Sequence, residues 1–146
     1  MSDVAENKAL FRRFMEEVAN KKNLGAIDEL MATDFVEHEQ LPPGTPAGRE
    51  AARFFFTQWR EGFPDGRVRL DMEIAEGQFV VCHETWTGTH TGGFFGVPAS
   101  GKSVTFRVID IARISGGKIR EHWGVADNFA LMQQIGAIPA PGQPAG

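Results

Sequence analysis

The sequence predicts an α+β fold, with three N-terminal helices packed on a strongly curved, mainly antiparallel sheet of four to six strands. Two observations carry this expectation. Apolar residues recur at helical spacing as far as Gly62, and from Arg67 onward the period drops from about 3.6 residues to about 2. Helices that precede the strands, rather than alternate with them, describe an α+β arrangement and not a parallel βαβ one. Such a sheet hides its apolar face by curling around the helices, and the resulting cone encloses an internal pocket of the kind small molecules occupy.

The first helix is expected over residues 4 to 19, where Val4, Phe11, Phe14 or Met15, and Val18 share a face and Ser2 or Asp3 is the N-cap. Lys21 to Asn23 break the pattern, and Asn23 caps a short second helix whose stripe is Leu24, Ile27, Leu30 and Met31. After DFVEHE, the prolines and glycines of QLPPGTPAG make a loop. The third helix runs from about Arg49 to Gly62, buries Ala52, Phe55, Trp59 and Phe63, and stops at Pro64-Asp65-Gly66. Val68, Leu70, Met72 and Ile74 then alternate with Arg67, Arg69, Asp71 and Glu73, a strand with one wet face. Glu76-Gly77-Gln78 turns into a second strand at 79 to 90, and TGGFFGVPASGK leads to a third at 103 to 115. Gly116-Gly117 signals a hairpin to a fourth strand at 118 to 126. A last helical turn, NFALMQQIG, precedes a Pro/Gly-rich tail, so residues 1 to 138 read as one domain and 139 to 146 as its tail.

Composition narrows the function. The 146 residues carry 15 Lys and Arg against 19 Asp and Glu, a net charge of −4 without the basic excess that nucleic acid binding draws on. One cysteine, Cys82, excludes an internal disulfide, and four His show no metal-ligand spacing. No apolar run is long enough to span a membrane, and MSDVAENK lacks the basic and apolar regions of a secretion signal. The chain is therefore expected in the cytoplasm, without membrane or nucleic acid partners. The absence of Tyr rules out mechanisms that need a phenolic proton donor.

The strongest chemical signal is Asp110. Val104, Phe106, Val108, Ala112 and Ile114 hold the even positions of the third strand, so Asp110 points the same way as five apolar side chains. Burial raises a carboxyl pKa and leaves a proton donor or a poised base. The alternative is a structural carboxylate bonded to a backbone amide or to Arg107 or Arg113. His38 and His122 are candidate bases near neutral pH, set against the plainer readings of a solvated loop histidine and a buried strand histidine. The hairpin decides which face His122 takes. A plain two-residue turn pairs Ser115 with Lys118 and puts Trp123 beside Asp110, whereas a bulge or a longer loop brings His122 and Gly124 there. On the face opposite Asp110, Ile109 and Ile111 make an apolar outer surface, from which a homodimer is expected.

The stretch from Phe79 to Gly136, above all GTHTGGFFGVPASGK, GKIREHW and LMQQIG, resembles the SnoaL-like polyketide cyclases, and the similarity runs from Ala9 to about Pro139. The resemblance implies the cone-shaped fold shared with nuclear transport factor two, ketosteroid isomerase and scytalone dehydratase, with dimerisation through the outer sheet face. It implies acid/base catalysis without metal or cofactor, by intramolecular aldol cyclisation or isomerisation of a bulky, apolar or aromatic carbonyl compound. Matched residue by residue, the family's acid/base aspartate falls on Gly124 and its catalytic histidine on Asp110. The ketosteroid isomerases place an oxyanion-binding aspartic acid at Asp110, a base at His38 and a tyrosine at Phe14. The resemblance favours the bulged register and sets Cys82, Glu84 and Trp86 on the pocket wall. The expected site thus has Asp110, His38 and His122 as catalytic groups, with Phe14, Trp59, Phe63, Glu84, Trp86 and Gly124 against the substrate. Two other readings stay open: a non-catalytic protein that binds a hydrophobic ligand, and a hydrolase or dehydratase, which the absence of Tyr disfavours.

Overall fold

In the computed structural model, which describes residues 3–139 and Gly142, helix α1 (Val4–Phe14) starts at Asp3. Its carboxylate accepts hydrogen bonds from the amides of Ala5 and Glu6. Ser2, the other candidate cap, and the tail apart from Pro139 and Gly142 lie outside the described residues. The first helix does not stay α-helical to residue 19. It widens into a π-helical segment (Met15–Asn20), and Asn20 exchanges side-chain hydrogen bonds with the backbone of Val68. Helix α2 (Ala26–Leu30) is shorter than expected. The Asn23 side chain does not cap it, but reaches back to Glu17.

Met31 begins a strand, β1 (Met31–Glu37), in a stretch to which periodicity assigns no element. Its register shifts between Met31 and Val36, so no clean alternation survives to reveal it. Helix α3 (Arg49–Gly62) forms where expected and buries Ala51, Ala52, Phe56, Trp59 and Gly62, with Phe55 half-buried. Strands β2 (Arg67–Glu76), β3 (Phe79–Thr89), β4 (Ser103–Ser115) and β5 (Lys118–Ala126) and helix α4 (Asn128–Gln134) complete the order. The sheet has five strands in the order β1-β5-β4-β3-β2, antiparallel except where β1 runs parallel to β5. No helix among the described residues is long and apolar enough to cross a membrane.

Two single-residue bulges decide which side chains face inward. In β2, Leu70 pairs with Glu84 and Met72 with His83, leaving Asp71 as the extra residue. Beyond it the faces exchange, which corrects the simple alternation expected. Met72 and Ile74 are 58% and 56% exposed, while Glu73 turns inward to meet Arg12 of α1 at 3.2 Å. In β5, both expected alternatives occur together. Gly116 and Gly117, with φ of +60° and +71°, form the two-residue turn that pairs Ser115 with Lys118. Arg120 then drops out of the pairing, so Ala112 faces His122, Asp110 faces Gly124, and Trp123 lies beside Ile111 on the outer surface. The helices cover the concave face, and Trp59 sits at the centre of that core, its indole N–H donating to the Ala19 carbonyl at 3.1 Å.

Candidate active site

A cavity of about 230 Å³ lies between the concave face of the sheet and helices α1, α3 and α4. Phe14, Phe35, Phe55, Phe56, Trp86 and Phe106 form much of its wall. Its polar end brings together Glu37 and Glu39 from β1 and the residues just beyond it, Asp110 from β4, and His122 from β5.

His122 is held at both ring nitrogens. Nε2 is 2.7 Å from Asp110 Oδ1, and Nδ1 is 2.7 Å from Glu37 Oε1 and 4.0 Å from Glu39 Oε2. Two carboxylates on one ring require both nitrogens to donate, so the ring is an imidazolium. Burial works against that charge, but Asp110 and Glu37 outweigh it and hold the imidazole well above its ordinary pKa. Burial opposes an ionised Asp110 as well, yet the charge and hydrogen bond of His122 keep its carboxyl below the usual range. Glu84 differs: burial pushes it up to about 11, with Asp110 adding to the effect. It is a neutral acid at pH 7, accepting from the Trp86 indole at 2.8 Å. Burial, opposed by His122 and reinforced by Asp110 and Glu37, brings Glu39 to about 7.

Glu37, Glu39 and His122 present one donor atom each within 4.8 Å of one another. With a carboxylate on each nitrogen of His122, these groups form an ion-paired network.

The profile of the SnoaL-like polyketide cyclases matches residues 9–135. The chain belongs to that family. Among its relatives, aklanonic acid methyl ester cyclase DauD of Streptomyces sp. (strain C5) is 29% identical over 134 residues, spanning 87% of this chain and 80% of the relative. The cyclase of the same description from Streptomyces peucetius, DnrD, is also 29% identical over 134 residues, spanning 87% of this chain and 88% of the relative. Among solved structures, TsrD from Streptomyces laurentii superposes with a TM-score of 0.83 at 27% identity, over 94% of this chain and all of that one (100%).

Within this SnoaL-like fold, the expected site residues divide into three groups. Asp110, His122, Phe14 and Trp86 line the cavity, and Gly124 lies directly opposite Asp110. The partner of Asp110 is His122 and neither arginine, since Arg113 pairs with Glu121 at 2.7 Å. Glu84 is fully enclosed behind Asp110 and does not reach the cavity, and the same holds for Cys82, whose thiol burial pushes up. Trp59 and Phe63 are both 0% exposed and belong to the core behind the cavity wall, where they stack on each other. His38 is not in the site. One residue beyond Glu37, it points through the other face of the sheet, stacks on Trp123 at 4.6 Å and bonds Glu121 at 2.7 Å. Strand alternation therefore puts Glu37 and Glu39, unconsidered as candidates, where the histidine between them was expected. The signal was present in EHE: with the middle residue outside, its two acidic neighbours must be inside.

Proposed function

We propose that this chain catalyses a cofactor-independent aldol-type cyclisation or isomerisation of a bulky, uncharged carbonyl compound. One observation carries the reading: an imidazolium, His122, locked between Asp110 and Glu37 at the polar end of an aromatic cavity. In an aldol closure a proton leaves the carbon next to one carbonyl, and the resulting enolate carbon attacks a second carbonyl carbon. The oxygen of that second carbonyl takes up a proton. His122 supplies it from Nδ1, the nitrogen that faces Glu37 and Glu39, while the ionised Asp110 holds the ring in place through Nε2 and favours its charged form. The apolar wall binds the body of the substrate. By analogy with the curated relatives, the probe of choice is aklanonic acid methyl ester. The expected product has the mass of the substrate and forms at the same rate when a chelator is added. Binding without conversion would replace the enzyme reading with that of a ligand-binding protein.

The same reading includes a homodimer in the cytoplasm. Met72, Ile74, Phe79, Ile109 and Val125 are exposed together on the convex face, where Met72, His83, Ile109 and Val125 form one cross-strand row. An apolar sheet face of this kind is stable in water when a second copy covers it. Ile109→Glu is expected to convert a dimer into a monomer at micromolar concentration, as read by light scattering. A wild-type chain that is already monomeric would end the dimer proposal.

A further inference from the structure

Because His122 is engaged by two carboxylates, it serves as a donor, and the group that removes the proton from carbon must be another. We infer that Glu39 is the catalytic base, and that position 124 is glycine so that the Glu39 carboxylate has a place to sit. This deepens the acid/base reading above and rests on it.

The geometry comes first. Glu39 lines the cavity, and its side chain is 21% exposed, enclosed yet reachable by a ligand. Its Oε2 is 4.0 Å from His122 Nδ1, too long for a hydrogen bond. Among the described residues, no protein donor bonds this carboxylate. Asp110 and Glu37 are both committed to His122 and Glu39 is not, so its lone pairs are available. The room it occupies is the room a side chain at 124 would take. A Cβ there would stand 2.7 Å from Glu39 Oε2, 2.8 Å from His122 Cε1 and 3.0 Å from Asp110 Oδ1. Gly124 is not among the residues with positive φ, so its backbone does not demand glycine. Space does.

The charges around it set its strength. Asp110 from β4, Glu37 from β1 and His122 from β5 face Glu39, and among the described residues no Lys or Arg lines the cavity. Burial against these neighbours brings Glu39 to about 7, the value at which a general base works best near neutral pH. In the step itself, the Cα–H bond of an uncharged ketone or ester breaks and its proton passes to Glu39 Oε2. The bonding pair moves onto the carbonyl oxygen, which shares the Nδ1 proton of His122. The enolate carbon then attacks a second carbonyl or takes the proton back.

Deuterium exchange at the α-carbon of 1-tetralone in heavy water, followed by proton NMR, isolates this step from any ring closure. Wild-type protein is expected to accelerate exchange, with a rate that rises with pH through about 7. Glu39→Gln should lose about 10²- to 10⁴-fold of the rate together with that pH limb, at an unchanged melting temperature. Exchange by Glu39→Gln at the wild-type rate and pH profile, or no exchange by the wild type, would overturn the assignment. Exchange without cyclisation of aklanonic acid methyl ester would sink the cyclase reading and leave Glu39 as the base. Cyclisation that survives Glu39→Gln would do the reverse.

Discussion

Asp110→Asn is expected to cut turnover by about 10²- to 10⁴-fold and to destabilise the protein by about 1–3 kcal/mol. The two effects come together because one carboxylate does both jobs: it is buried, and it pairs with His122 at 2.7 Å. A stranded arginine would cost about 3–5 kcal/mol, but an imidazolium sheds its proton and keeps Glu37 as a partner, so the loss is smaller. The pH dependence identifies the pair. The raised pKa of His122 means that its contribution is complete below the unfolded value of about 6.5 and fades as pH rises through the folded one. The lowered pKa of Asp110 means that its contribution is complete above about 3.9 and fades as pH falls through its folded value. The gap in melting temperature between wild type and variant should therefore be widest between about pH 4 and 6.5 and narrow above it. A gap that stays constant from acid to alkaline pH would show that Asp110 supplies something other than this ion pair.

Trp59→Ala should be the more damaging change to the fold, at about 3–5 kcal/mol. Trp59 is fully buried, donates to Ala19, stacks on Phe63 at 5.0 Å and meets Trp86 edge-on at 4.8 Å. Its removal opens a void in the middle of the helix–sheet interface, and the hydrogen-bond acceptor on Ala19 loses its partner. Urea denaturation is the measurement: the midpoint should fall while the slope stays the same. If the variant folded as well as the wild type and lost only ligand affinity, Trp59 would belong on the cavity wall after all.

Periodicity carried the inference furthest where a strand is regular. The even positions of β4 placed Asp110 on the inner face, and the structure has every one of that row buried. The α3 stripe marked Trp59 as inward, but a helical stripe does not distinguish a residue that packs into the core from one that touches a ligand. Regularity failed at Asp71 and Arg120. A bulge is set by what the partner strand requires, and a single strand read alone carries no trace of it. Glu37 and Glu39 were hidden for a related reason: their inward direction depends on β1 pairing parallel with β5, an arrangement between segments about eighty residues apart. The Gly124 position had the appearance of a loss in the sequence. Only the surrounding side chains give it a use.

The bulge at Arg120 also bears on how this protein can change over evolutionary time. On β5 beyond that residue, His122 and Gly124 belong to the cavity side and Trp123 and Val125 to the outer surface. Two unrelated surfaces are thus written in alternate letters along one strand. Inserting a single residue between Glu121 and His122 would exchange them, turning an imidazolium out to solvent and an indole into the cavity. Point substitution is the route left open there, and it can alter one surface while sparing the other. Length variation has its freedom elsewhere, in the proline-rich segment before α3 and in the glycine-rich connection between β3 and β4. Descendants of this chain should keep the spacing of β5 while their loops drift.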